Sequence, residues 1–357
     1  MRIAEVVNSL AVGGAERLLV DICIELKKRG HSVQVVCMRE SGPLAIPLKE
    51  AGVPVAVLAK PDGMSATATV QVAKILRRQG IQIVHTHNPL VHHYGVAGGR
   101  LARVLGIVNT LHGFGNLDDS KKTRWVYEMS CLQSHRVACV CQALEAHVHK
   151  VTRIARRQTT VIRNGIALER FIHIRRRPRT DDVVFGAVGR LVPVKDHETL
   201  LKAFGLLLRR NPTSRLRILG DGPLRDYLQE VAAALGIADR VEIRPTTLAV
   251  EEFLASLDVF VLSSISEGMP LTVVEAMAAG VPVVATHVGG VPELVQGADC
   301  GWLAAPRDPV DLSSQMKLAL DCSSREECGA RGRRYAVELH SLGKMVDSYE
   351  GLFESLL

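Results

Sequence analysis

Two open α/β domains in tandem are what this sequence predicts, and three observations carry the prediction. Short β-branched runs alternate with segments of helical spacing. The strand-like runs are almost continuously apolar, which marks parallel sheets covered on both faces. The alternation lapses once, in a basic, proline-containing stretch after residue 170, and then restarts. The 357-residue length suits two domains, each able to bury its own core.

The elements follow in order. Ile3–Val7 reads as the first strand, and Ala15–Arg29 as a helix with Leu18, Leu19, Ile22, Cys23 and Leu26 on one face. Ser32–Met38 and Val53–Leu58 are strands, and Val70–Arg78 is helical. Ile81–His87 and Ile107–His112 are strands with a helix between them, and Arg136–Cys141 and Thr160–Arg163 continue the pattern. Arg170–Thr180 contains H-I-R-R-R-P-R-T, lacks periodicity and reads as a linker. Then come strand Val183–Val188, helix Glu198–Arg210, strand Leu216–Leu219, helix Leu224–Leu235 and strand Val241–Ile243. Strand Val259–Leu262, helix Leu271–Ala279 and strand Val281–Ala285 follow, and the chain is helical from Asp308 onward. The predicted division is a first domain over 1–169, a linker over 170–181 and a second domain over 182–338. A C-terminal helix, 339–357, is able to cross back to the first domain.

Composition removes several classes of function. No run approaches the 18 apolar residues of a membrane span. Arg2 and Glu5, with no long apolar stretch behind them, argue against a secretory signal, so a cytoplasmic location is expected. The eight cysteines include no C-x2-C pair and read as reduced, mostly buried thiols rather than a disulfide framework or a zinc site. The net charge of +7 is unevenly spread: residues 1–179 carry +15 and residues 180–357 carry −8. Lys121, Lys122, Arg124, Lys150, Arg153, Arg156 and Arg157 concentrate the positive charge, with Arg175, Arg176, Arg177 and Arg179 in the linker. A solvated surface is the default reading of such runs. No nucleic-acid recognition motif accompanies them, so nucleic acid is not expected as a partner.

In open α/β sheets ligands bind beyond the carboxyl ends of the strands, so the loops there are the places to look for chemistry. L-A-V-G-G-A-E (10–16) follows the first strand. Gly13 and Gly14 allow close backbone approach at a helix N-terminus, which suits an anion; a tight turn requiring glycine is the alternative. The loop G-R-L-V-P-V-K-D-H-E (189–198) places Arg190 and Lys195 past a strand end, where a fork and a point charge suit a pyrophosphate. Two solvated charges are the alternative, and Asp196 can cap the next helix. In S-E-G-M-P-L-T-V-V-E-A-M (266–277), Glu267 precedes a turn through Gly268 and Pro270, and Glu275 lies on the following helix. Their spacing suits carboxylates holding hydroxyls at opposite ends of one ligand, or an acid/base pair.

The Glu267-x7-Glu275 segment with its flanks resembles the signature of retaining glycosyltransferases of family 4. So do V-G-R-L-V-P-V-K-D-H-E-T-L-L-K-A-F (188–204), G-D-G-P (220–223), G-G-A-E-R (13–17) and I-R-N-G-I (162–166). These five motifs stand in the family's order over nearly the whole chain. The resemblance implies the GT-B fold: two Rossmann-like parallel-sheet domains facing across a cleft, the first binding acceptor and the second a nucleoside-diphosphate sugar. It implies that Glu275 binds the donor ribose, and that Glu267 holds hydroxyls of the transferred sugar. Arg190 and Lys195 clamp the diphosphate, Gly14 approaches it through its N–H, and Gly13 belongs to the same loop. Gly268, Met269, Pro270 and Leu271 line the sugar and phosphate, and His112 contacts the sugar near the reacting carbon. His112, Arg190, Lys195 and Glu267 form the implied catalytic set, with no metal or cofactor. The donor that the resemblance implies is a UDP- or GDP-sugar. Ala167 departs from the family, which often has Asp after this N-G.

Q-I-V-H-T-H-N (82–88) places His85 and His87 on one strand face, with His92 and His93 following. A metal site is one reading; the other is the family's V-H-x-H stretch, on the acceptor side. The basic first half suits docking on anionic lipid head groups that present a glycan or lipid-linked acceptor. Cell-surface polysaccharide or lipopolysaccharide synthesis is the setting this implies. A nucleotide-sugar epimerase and a catalytically silent partner subunit are the rival readings. Intact Glu267, Glu275, Arg190 and Lys195 weigh against the silent one.

Overall fold

The computed structural model describes residues 1–115, 117, 121–174, 182–245 and 249–357. They form two compact units: Met1–Ile166 together with Leu342–Leu357, and Ala167–Ser341.

The first unit carries strands β1 (Arg2–Val7), β2 (Ser32–Cys37), β3 (Val55–Val57), β4 (Ile83–His87), β5 (Gly106–Leu111), β6 (Arg136–Cys139) and β7 (Thr159–Val161). They form one parallel sheet in the order β3-β2-β1-β4-β5-β6-β7. The order reverses between β1 and β4, where Glu5 lies opposite His85 in the register. Helices cover the sheet, because its strands are apolar to both sides and need cover on both. Ser65 caps helix Ala66–Arg78 by accepting from the Ala68 N–H at 3.2 Å. Helix Pro89–Ala102 packs close to it at Gly98, where a methyl group would stand 2.5 Å from Val72 Cγ1.

The second unit carries β8 (Val184–Val188), β9 (Arg215–Leu219), β10 (Val241–Arg244), β11 (Val259–Leu262), β12 (Val283–Thr286) and β13 (Gly301–Ala304). This sheet is also parallel, in the order β10-β9-β8-β11-β12-β13, and it reverses between β8 and β11. Its core joins Phe185, Phe204, Leu216, Ile218, Val261 and Met316. The sequence reading contains no strand at β13, a four-residue G-W-L-A run too short to show a period.

The segment read as a linker opens with a helical turn, Glu169–Ile172, and 175–181 lie outside the described residues. From Asp308 onward the chain forms three helices, Pro309–Asp321, Arg325–Leu339 and Leu342–Glu354. The third belongs to the first unit and buries Met345, Val346, Tyr349 and Phe353 there. Arg29 fastens it through Asp347 (2.6 Å), Glu350 and the Gly343 carbonyl (3.2 Å). Leu342 N–H donates to the Ile166 carbonyl at 2.8 Å. Among the described residues no helix is long and apolar enough to cross a membrane. All eight cysteines are free, and burial pushes the thiols of Cys131 and Cys300 up to about 12.

Candidate functional site

In each sheet the order reverses once, and each reversal holds an unusual group of polar side chains. In the second unit the group sits in the loops beyond β8 and β11. Lys195 closes a single 3-10 turn, Pro193–Lys195, after β8. Asp196 then adopts φ 47° and ψ 47° and caps helix His197–Leu208, its carboxylate accepting from the Thr199 N–H at 3.3 Å. The β11 loop is tied to this turn by its backbone. Ile265 N–H donates to the Val194 carbonyl at 2.9 Å, and Ser263 Oγ donates to the Lys195 carbonyl at 2.9 Å. The result brings Lys195 Nζ to 2.5 Å from Glu267 Oε1, where Ser264 Oγ also donates at 2.6 Å. Both bonds fall on Oε1, and among the described residues Oε2 accepts none. Lys195 is about one-fifth exposed and Glu267 about one-tenth, so the pair is within reach of solvent.

Arg190 is exposed on the same β8 loop, and its guanidinium has no partner among the described residues. That loop is braced by G-D-G-P. Leu191 N–H donates to the Asp221 carbonyl at 2.8 Å, and Leu224 N–H to the Leu191 carbonyl at 3.2 Å. Gly222 has φ 156°, and a methyl group there would meet the Leu191 carbonyl oxygen at 2.4 Å, so only glycine fits. Pro270 precedes helix Leu271–Ala278, on which Glu275 lies. Gly268 and Met269 are buried, and the Gly268 carbonyl accepts from the Gly290 N–H at 2.8 Å. The structure therefore joins Lys195 directly to Glu267 and places Gly268–Leu271 and Glu275 in the chain that follows.

The first unit's group lies inside the strands. Glu5 on β1 is completely buried, and its Oε2 accepts from His87 Nε2 at 2.8 Å. His85 Nδ1 stands 2.9 Å from the same oxygen. His85 Nε2 meets Thr110 Oγ1 at 2.7 Å, which meets Tyr349 OH at 3.0 Å. His87 Nδ1 meets His112 Nε2 at 2.9 Å, the two rings stacked with centroids 5.2 Å apart. Asn88 Oδ1 accepts from the His112 backbone N–H at 3.1 Å. Burial alone would raise the Glu5 carboxyl, but the two imidazoles hold it at about 2. Burial, then the charge of His85, lowers His87 despite Glu5. Burial also lowers His112 well below its ordinary value, with His87 and His85 adding to it.

His85 and His87, expected on the acceptor side, are thus buried in the sheet with their polar atoms turned to Glu5, Thr110 and His112. Gly13 caps helix Gly14–Lys28 with φ −159°, so this turn does not require glycine for a positive φ. The Glu16 carboxylate lies close over Gly13. The sequence reading missed Glu5 and Ser264. Glu5 had a signal: a lone charge inside an apolar run that a parallel sheet buries on both faces.

A third feature is a surface. Helix Lys121–Cys131 exposes Trp125 and Met129, with Leu132 just beyond, at positions i, i+4 and i+7. They are 61%, 37% and 70% exposed. With Arg124, Lys150 and Arg153 they line a groove of about 810 Å³, and Lys121, Lys122, Arg156 and Arg157 are exposed nearby in the chain.

Two family models match this chain: Glycosyltransferase Family 4 over residues 12–170 and Glycosyl transferases group 1 over 169–335. An Escherichia coli UDP-Gal:alpha-D-GlcNAc-diphosphoundecaprenol alpha-1,3-galactosyltransferase is 25% identical, over 99% of this chain and 96% of its own. A Bacillus anthracis N-acetyl-alpha-D-glucosaminyl L-malate synthase is 26% identical, over 80% of this chain and 78% of its own. Among solved structures, Anabaena HepE in complex with UDP-glucose superposes with a TM-score of 0.86 at 21% identity, covering 99% of this chain and 100% of that one. The lipopolysaccharide outer core galactosyltransferase WaaB superposes at 0.77 with 18% identity, over 99% and 100%. With two parallel α/β units and both halves matched, the chain is a glycosyltransferase of the GT-B fold and belongs to the group 1, family 4 glycosyltransferases.

Proposed function

We propose that this enzyme transfers a sugar from a nucleoside-diphosphate sugar to a glycan or lipid-linked acceptor with retention at the anomeric carbon. The observation that carries the reading is Lys195 and Glu267 held together beyond the two strands at the reversal of the second sheet. Glu267 Oε2 is the oxygen that accepts sugar hydroxyls. Glu275 takes the ribose, and Gly268–Leu271 line the sugar and phosphate. Arg190 and Lys195 stabilise the diphosphate that leaves when the C1–O bond breaks and the sugar becomes oxocarbenium-like. Gly13, Gly14 and His112 are assigned as donor contacts on their motif match. The departing diphosphate accepts the acceptor's proton on the face it leaves, which gives retention with protein cations in place of a metal.

The relatives support the donor class: HepE is solved with UDP-glucose, and the Escherichia coli relative uses a UDP-sugar and a diphosphoundecaprenol acceptor. A lipid-linked acceptor calls for a membrane-facing surface, and the Trp125–Met129–Leu132 stripe rimmed by basic residues suits an anionic lipid interface. Polysaccharide or lipopolysaccharide assembly at the cytoplasmic face of a membrane follows as the setting.

Thermal shift against UDP, GDP and their sugars tests the donor. At 100 times Kd a true ligand stabilises by about 2.7 kcal/mol, and proton NMR of the product then reads the anomeric configuration. No shift with any nucleoside diphosphate, or an inverted product, sinks the respective half of the reading. Vesicle flotation tests the surface. Binding to anionic vesicles at low salt should weaken in Trp125→Ala and Lys150→Glu; wild-type protein that ignores those vesicles refutes docking.

A further inference from the structure

We infer that Glu5, acting through His87, locks His112 in the tautomer that carries its proton on Nε2 and presents a bare Nδ1. Glu5 is then a positioning residue for a group that reads sugar hydroxyls. The inference rests on the functional reading only for what meets Nδ1; the lock itself follows from the buried chain.

An ionised carboxylate can only accept, so the 2.8 Å bond to Glu5 Oε2 requires the proton of His87 on Nε2. Burial disfavours a second proton on that ring, so His87 Nδ1 is a lone-pair acceptor. Its partner at 2.9 Å, His112 Nε2, must then be the donor. His112 is likewise kept neutral, which leaves its Nδ1 without a proton. That atom is buried and has no hydrogen-bond partner among the described residues. A bare imidazole nitrogen accepts from a hydroxyl and repels a phosphate oxygen. The lock therefore directs His112 to the sugar of a nucleoside-diphosphate sugar, not to its phosphates.

A metal ion is the rival occupant, because ligand atoms of Glu5, His85 and His87 lie within 4.8 Å of one another. Hydrogen-bond contact between His87 Nε2 and Glu5 Oε2 favours a proton between them over an ion. His85 Nδ1 stands 2.9 Å from the same oxygen, and its ring leads away from His112, through Thr110 to Tyr349.

The test is ¹⁵N NMR of the full chain labelled at its histidine imidazoles, with the His112 signals assigned from His112→Gln. Wild type should show His112 as a single Nε2–H tautomer at neutral pH. In Glu5→Gln the side-chain amide can donate as well as accept, so the tautomers should mix. Its kcat should fall roughly 10-fold to 100-fold, with little change in the donor KM. A His112 carrying its proton on Nδ1 in wild type overturns the lock, as does Glu5→Gln with unchanged spectrum and rate. So does stoichiometric zinc in wild type, read by elemental analysis. The wild-type spectrum needs no substrate and no folded Glu5 variant, and its assignment needs only His112→Gln. A chain that fails to transfer from any nucleotide sugar would overturn the functional reading, while the spectrum still decides the lock.

Discussion

The two sheet reversals use charge in opposite ways. Beyond β8 and β11, Lys195 and Glu267 stand in loops, partly exposed, with one carboxylate oxygen left over for a ligand. Between β1 and β4, Glu5 is sealed inside the sheet and both of its charge partners are imidazoles. Loops at strand ends can carry ions because water and ligand share the desolvation cost. A buried carboxylate has no such help and persists only with partners that hydrogen-bond to it. On the proposed reading the first group binds a ligand and the second holds a neighbour in one state.

The largest expected effect separates binding from holding. Lys195→Ala and Glu267→Ala should each lower kcat by about 10²–10³. Their melting temperatures should stay close to wild type, because partly exposed ion pairs contribute little stability. Calorimetry beside steady-state rates checks this. A variant that keeps its rate removes that residue from the site, and one that unfolds makes the pair structural.

Acid should split the two units. Burial holds His92 at about 3, with a contribution from His93, and His197 at about 4, with one from Lys195. His87 and His112 are also lowered, so three of these four imidazoles lie in the first unit. A lowered folded-state pKa gives stability that is present above the unfolded value, about 6.5, and is lost as pH falls below it. By pH 5 the loss is about 2 kcal/mol for His92 and a similar amount for His197. His87 and His112 add to the first unit's side alone. The lowered Glu5 carboxyl adds a further loss only below about pH 4.5, as pH falls toward its value near 2. The first unit should therefore melt first at pH 5. Trp125 and Trp302 lie in different units, so fluorescence of Trp302→Phe and Trp125→Phe follows each separately. If the second unit melts first, the buried histidines are not what sets acid stability.

What could be read from the sequence divides along the same line. The parallel α/β architecture was legible because apolar strands and helical spacing repeat, and most observed strands lie within or overlap the expected runs. Arg190, Lys195 and Glu267 stood out as candidates because they lie in loops past strand ends, where ions can stay hydrated, and Glu275 because it lies on the helix that follows. The pairing of Lys195 with Glu267 was not, since it depends on β8 and β11 being neighbours 70 residues apart in the chain. The role of Glu5 was hidden for the same reason: it needs β1, β4 and the end of β5 side by side. His85 and His87 showed their chemistry but not their burial, because period 2 says which face they share and not what covers it.

The smallest effect divides the buried group itself. Tyr349→Phe removes one hydroxyl, 3.0 Å from Thr110 Oγ1, on the arm that runs from Glu5 through His85. The loss of one buried hydrogen bond should cost about 1 kcal/mol, a fall of roughly 2–4 °C in the first unit's melting temperature. It should leave kcat unchanged, because the path from Glu5 to His112 runs through His87 and not through His85. A rate loss like that of Glu5→Gln would make both arms part of one device. The C-terminal helix that supplies Tyr349 would then be positioning His112 as well as completing the core.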